Sequence, residues 1–246
     1  MKKENITNLS TDQQFIHQLL LRSSSIKDIG LYNGKMGLIL FFSHYFKIDG
    51  NPVFEDTADE LMDELMEDLY QSLPAGFAAG LSGIGWGVEY LIQNNFIDGD
   101  SLDVCEEVDK KIMETDPVRI TDFSIETGLE GILHYVLAHI KGVSAQHGKT
   151  PFDEKYLTDL NHALLNIPKE SNLTESFKIL SQKYLSFYKN RKELDYTLSL
   201  SFIIENNEIE NPIESAKSVS SAFHQSLGLN KGLSGYLLKN LLTPRL

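Results

Sequence analysis

The sequence predicts an all-α chain built from repeated helix hairpins. Three observations lead there: a glycine motif that recurs four times, apolar residues at helical spacing between the copies, and amide–proline pairs placed as helix starts. The copies are Gly30-Leu-Tyr-Asn-Gly34-Lys-Met-Gly37-Leu, Gly76-Phe-Ala-Ala-Gly80-Leu-Ser-Gly83-Ile, Ser124-Ile-Glu-Thr-Gly128-Leu-Glu-Gly131-Ile and Gly228-Leu-Asn-Lys-Gly232-Leu-Ser-Gly235-Tyr. Eleven of twelve glycine positions hold glycine, in a chain with 17 Gly among 246 residues; Ser124 is the exception. The middle glycines Gly34, Gly80, Gly128 and Gly232 lie 46, 48 and 104 residues apart. A unit of ~40–50 residues holds two helices and their turns, and the long interval spans two units, one without glycines.

The elements follow in order. Thr11–Leu21 is an amphipathic helix. After Gly37, Leu38-Ile39-Leu40-Phe41-Phe42 is apolar on every side, the mark of a buried helix. Asn51–Tyr70 starts with an amide N-cap and a proline at the first helical position. Its stripe of Phe54, Ala58, Leu61, Leu65 and Leu69 opposes Glu60, Asp63, Glu64, Glu67 and Asp68. After Gly80, Leu81, Ile84, Val88, Leu91 and Ile92 share a face. Ser101–Thr115 is a further amphipathic helix, and Leu133 to Ile140 is apolar apart from His134 and His139. Glu154–Leu165 opens the glycine-free pair, which ends near Lys189. Thr197–Ile204 reads equally as an extended piece or a helix. Asn211–Phe223, with Asn211-Pro212 and a capping-box Glu214, leads to the last turn. The pattern is an acidic outer helix, a glycine turn and an apolar inner helix, in five pairs; with no low-complexity linker, residues 1–246 are expected to form one domain.

Composition narrows the function. With 22 Lys+Arg against 35 Asp+Glu the net charge is −13, which disfavours a phosphate backbone as partner. One cysteine, Cys105, excludes an intrachain disulfide. The polar start lacks the apolar stretch of a signal peptide, and no apolar run reaches the ~18–20 residues of a membrane span, so a cytoplasmic location is expected. The turns lack the Gly-Lys-Ser/Thr ending of a phosphate loop, and no Gly-x-Ser-x-Gly elbow supports a hydrolase.

The motifs Gly76-Phe-Ala-Ala-Gly80-Leu-Ser-Gly83-Ile-Gly85, Ile125-Glu-Thr-Gly128-Leu-Glu-Gly131-Ile-Leu133 and Gly228-Leu-Asn-Lys-Gly232-Leu-Ser-Gly235 resemble those of the bacterial lanthionine synthetase C-like (LanC-like) family. The resemblance implies an α/α toroid, here an incomplete or five-hairpin ring in place of the usual seven hairpins. The family's cyclases hold zinc on two cysteines and a histidine, placed at the two variable positions before the middle glycine, and activate a peptide thiolate for addition to a dehydrated Ser or Thr. At those positions this chain has Tyr32 and Asn33, Ala78 and Ala79, Glu126 and Thr127, Asn230 and Lys231. None is Cys or His, so neither a metal nor another cofactor is expected there, and zinc-dependent cyclisation is disfavoured.

The expected binding residues at the ring's mouth are Tyr32, Asn33, Glu126, Glu130, His224, Asn230 and Lys231; no catalytic residue is assigned. Glu126 and Glu130, at i and i+4, suit a cation or a basic peptide group. The leading reading is a pseudoenzyme that binds a peptide or protein partner in peptide modification, either a modification enzyme or its substrate peptide. Two alternatives stay open. One is an enzyme of another class on the same ring, a carbohydrate-active hydrolase or an atypical cyclase. The other is a structural module that assembles with itself or a larger complex. His134 and His139, five residues apart, lie about 140° apart on a helix and do not share a face, and Cys105 and Trp86 read as packing residues.

Overall fold

The computed structural model describes residues 10–69, 73–168, 170–191, 194–204 and 226–243. Among them every regular element is helical: α1 (Thr11–Ser23), α2 (Lys35–Asp49), α3 (Pro52–Asp68), α4 (Leu81–Gln93), α5 (Ser101–Val104), α6 (Glu106–Met113), a 3₁₀ turn (Pro117–Arg119), α7 (Leu129–His147), α8 (Glu154–Leu165), α9 (Glu175–Asn190), α10 (Ser201–Ile204) and α11 (Leu233–Leu242).

The start signals act as written. Ser10 and Gln13 form a reciprocal capping box on α1. The Asn51 side chain accepts from the Val53 N–H ahead of Pro52, and Asp153 and Thr174 cap α8 and α9. The Asn211 cap and the Asn211–Phe223 helix lie outside the described residues. Two boundaries differ from expectation. The helix expected over Ser101–Thr115 breaks at Cys105, where α5 ends and α6 begins. Of Thr197–Ile204, only Ser201–Ile204 is helical.

Inner helices α2, α4, α7 and α11 each follow a glycine turn. They form a row in which α11 packs on α2, α2 on α4 and α4 on α7, with α9 beyond α7. The outer helix α3 lies against α2, where the buried Lys35 ammonium reaches Glu64 at 2.9 Å and Asp68 at 3.4 Å. Leu38 to Phe42 are buried, as are all residues from Leu81 to Ile92. The α3 stripe of Phe54, Ala58, Leu61, Leu65 and Leu69 faces inward as its spacing predicts. One connected core runs from Phe15 in α1 to Leu238 in α11.

The stretch Leu194–Ile204 packs onto the α4–α7 pair. Phe202 stacks on His134 and meets the Phe77 and Trp86 rings. The Tyr196 hydroxyl accepts from Trp86 Nε1 at 2.9 Å and lies 2.9 Å from His134 Nδ1. Burial lowers the His134 pKa to about 3, so the imidazole is neutral and shares one hydrogen bond with the Tyr196 hydroxyl. Trp86 is therefore a packing residue, with its polar edge satisfied.

Candidate functional site

All four glycine turns close in the same way. The first helical residue donates its N–H to a carbonyl seven residues back: Lys35 to Asp28, Leu81 to Pro74, Leu129 to Asp122 and Leu233 to Ser226, at 2.8–2.9 Å. In three copies the side chain at that earlier position also caps the loop. Asp28 accepts from the Gly30 N–H at 2.7 Å, Asp122 from Ser124 at 2.8 Å and Ser226 from Gly228 at 3.4 Å. This polar residue, two places before the motif's first position, is a regularity the glycine pattern alone does not reveal.

The turns are also joined to each other through backbone. The Asn230 N–H donates to Tyr32 O at 3.0 Å, Tyr32 N–H to Ala78 O at 2.8 Å, and the Phe77 and Ala78 N–H groups to Glu126 O at 2.8 and 3.0 Å. The fourth turn thus docks on the first, the first on the second and the second on the third, forming a continuous belt. The first glycine of a motif makes this docking possible. A Cβ on Gly30 would lie 2.5 Å from Ala79 Cα, and one on Gly228 would lie 2.6 Å from Asn33 Cα. Ser124 holds this position in the third turn, where the belt ends. Its hydroxyl instead lies 3.1 Å from Asp122 Oδ2 and 3.3 Å from Thr127 Oγ1, closing the edge.

The belt presents the variable pairs in the spatial order Asn230-Lys231, Tyr32-Asn33, Ala78-Ala79, Glu126-Thr127. The second member of each pair, Lys231, Asn33, Ala79 and Thr127, is exposed, and Glu126 is exposed too. Lys231 sits at φ 53° at one end, with no ion pair among the described residues. Asn33, with its amide oriented to satisfy both contacts, donates to Tyr32 O and Asn230 O across the junction. Tyr32 is buried edge-on against Phe77; burial first, then Glu126 and Glu130, raises its phenol above the ordinary tyrosine range. Glu130 is buried and accepts from Thr174, the cap of α9, at 3.0 Å. Five expected site residues (Tyr32, Asn33, Asn230, Lys231 and Glu126) therefore lie along one belt, Glu130 sits behind it, and His224 lies outside the described residues.

The zinc ligands implied by the resemblance do not fit this belt. Its eight variable side chains offer no thiolate and no imidazole, and Lys231 brings a like charge.

A sequence model of the family described as "Lanthionine synthetase C-like protein" matches residues 25–190. The chain belongs to the LanC-like family. Membership makes it a peptide-modification-related protein at the level of the family, and its all-helical architecture is that of the family's α/α toroid. A curated 4-hydroxy-tetrahydrodipicolinate reductase of Alkaliphilus metalliredigens is 28% identical over 117 residues, 46% of this chain and 46% of that protein. The chain thus spans about half the length of that relative, and the described residues contain no strand of the kind a dinucleotide-binding turn follows. No solved structure matches the chain significantly.

Away from the belt lies a second polar constellation that the sequence reading missed. His139, fully buried on α7, places Nδ1 2.6 Å from Glu89 Oε1 of α4 and Nε2 2.8 Å from Asp109 Oδ2 of α6. Tyr135 donates to Asp109 Oδ1 at 2.6 Å, and Gln93 donates to Glu89 Oε2 and to Ala138 O. Gly142 leaves room for Glu89, whose Oε2 would lie 2.3 Å from a Cβ there. Burial lowers the His139 pKa and raises that of Asp109. The hydrogen bonds and charges of both carboxylates outweigh burial at His139 and bring it up to about 9, so it is an imidazolium at neutral pH. Cys105 lies beside this group, its thiol pushed well up by burial and by Glu89 and Asp109. The signal available in the sequence was Glu89, the only carboxylate in the otherwise uncharged Leu81–Ile92 helix.

A surface cleft of about 500 Å³ lies near Lys141, Lys149, Phe187 and Arg191. Two of its cations are already engaged, Lys141 with Tyr196 O at 2.6 Å and Arg191 with Glu154 at 2.7 Å.

Proposed function

We propose that this LanC-like protein binds a peptide or protein partner along the turn belt and does not itself form thioethers. The observation that carries the reading is a belt with its backbone intact and no thiolate or imidazole at the family's ligand positions. Exposed Asn33, Ala79 and Thr127 offer a narrow polar surface, with the Lys231 ammonium at one end and the Glu126 carboxylate at the other. An extended peptide with an acidic group at one end and a basic group at the other complements that arrangement, in the setting of bacterial peptide modification. The residues 1–246 act as one binding domain in this reading, in the cytoplasm.

The test is calorimetric titration of the purified chain with the peptides and modification enzymes encoded beside it. Binding that falls about 5–10-fold in Lys231→Glu and in Glu126→Lys, and partly recovers against a charge-reversed peptide, supports the proposal. No affinity for any of these peptides and enzymes, or binding indifferent to both substitutions, refutes it.

A further inference from the structure

We infer that Glu89, Cys105 and His139 form a buried divalent-metal site, zinc-like in its donor set, that clamps α4 and α7 to the α5–α6 junction. This site is separate from the turn belt and independent of what the belt binds.

The geometry comes first. One donor atom from each of the three residues lies within 4.8 Å of the others, and all three side chains are fully buried. Thiolate, imidazole and carboxylate are the donors that suit zinc. Nδ1 is the His139 nitrogen that faces Glu89, while Nε2 is held by Asp109. A metal-bound histidine commonly donates its second nitrogen to a carboxylate that fixes ring and tautomer, and Asp109 is itself fixed by Tyr135. The helix break at Cys105 has a role in this arrangement: it turns the residue between α5 and α6 inward beside Glu89.

Metal binding exchanges two protons. His139 Nδ1 faces Glu89 Oε1 at 2.6 Å, so the proton held between them and the Cys105 thiol proton both leave when a divalent ion takes an imidazole nitrogen and a thiolate as donors. The two protons go to solvent, and no oxidation occurs. The binding constant therefore depends on pH through both protons. Groups facing the site from the packed elements are Glu89 and Gln93 on α4, Asp109 on α6, Tyr135 on α7 and Tyr156 on α8, with the Phe152 ring against His139.

The test uses the full chain, refolded from urea with Zn²⁺ or Co²⁺ so that the closed site is loaded during folding, then freed of loose metal. Expected results are one tightly held ion per chain, thiolate-to-cobalt charge-transfer absorption, release of about two protons per ion in buffers of different ionisation enthalpy, and affinity rising about 100-fold per pH unit between pH 6 and 8. Cys105→Ser should abolish the charge-transfer band and lower retention at least 100-fold. Should that variant misfold by circular dichroism, the proton count on the unmodified chain decides. No retained ion, fewer than about two protons, or retention unchanged in folded Cys105→Ser overturns the inference.

Discussion

The turn belt makes a sharp prediction about two positions that the sequence motif treats as equivalent. Gly30 and Ser124 both hold the first place of their copies, yet only Gly30 meets a following turn. An alanine Cβ at Gly30 would lie 2.5 Å from Ala79 Cα and 2.9 Å from Ala78 O. Relieving that overlap moves the two turns apart by about 1 Å, since ordinary carbon contacts are ~3.5–4.0 Å. The Tyr32 N–H to Ala78 O bond, now 2.8 Å, would then exceed hydrogen-bonding distance. Losing that bond costs about 1–3 kcal/mol, and backbone overpacking adds about 1–3 kcal/mol. Gly30→Ala should therefore destabilise the protein by ~2–6 kcal/mol. Ser124→Gly removes only half-exposed hydroxyl contacts and should change stability by less than about 1 kcal/mol. Urea unfolding followed by circular dichroism reads both; with a slope near 3 kcal/mol/M, Gly30→Ala lowers the midpoint by about 1 M. A Gly30→Ala midpoint within ~0.2 M of the parent, or equal losses in the two variants, would sink the account of the first glycine as a docking residue.

The buried His139 cluster sets the response to alkali. The folded imidazole has its pKa raised to about 9, against ~6.5 unfolded, so its contribution is complete below about pH 6.5 and is lost as pH rises through about 9. Metal-free protein should thus lose up to ~3 kcal/mol across that window; pH-dependent urea midpoints that stay flat there, or a loss undiminished in His139→Gln, contradict the assignment. Tyr196→Phe strips the Trp86 indole N–H of its acceptor in a closed core, and should cost ~1–3 kcal/mol with a change in tryptophan emission. An unchanged midpoint and spectrum would show that the Leu194–Ile204 stretch does not hold Trp86.

The architecture was readable because its cause is local and repeated. Glycine spacing marks the four motif turns, though not the turn of the glycine-free α8–α9 pair, and the apolar runs after Gly37, Gly80 and Gly128 mark the buried helices without reference to tertiary contacts. The belt was only half legible. The variable residues could be placed at the turns, but the order in which turns dock depends on backbone pairing between segments about 50 to 200 residues apart. The role of Ser124 follows from that order, not from its own copy. The His139 cluster escaped for a related reason. Periodicity treats Glu89, Asp109 and His139 as polar residues on three separate helices, and burying each alone would be unfavourable. Only their convergence, with two carboxylates flanking one imidazolium, makes the burial tolerable.

That separation of scaffold from side chain explains how this LanC-like chain holds its turns with such unlike residues at the variable positions. Each loop is closed by its own backbone bond, and neighbouring loops are joined through main-chain N–H and carbonyl groups. The main-chain bonds do not depend on the side chains at positions 33, 79, 127 and 231, which are exposed. Exchange is cheapest at Ala79, about 0.5 kcal/mol or less, whereas Asn33 and Thr127 would each give up side-chain hydrogen bonds and Lys231 sits at φ 53°. The first glycines, whose missing Cβ admits the next turn, have no such freedom. A belt built in this way tolerates many chemistries on one frame, from a metal-ligating set to the amide, methyl, hydroxyl and ammonium groups found here. In the proposed reading the exposed residues select the partner, while the glycines beneath them let the turns dock.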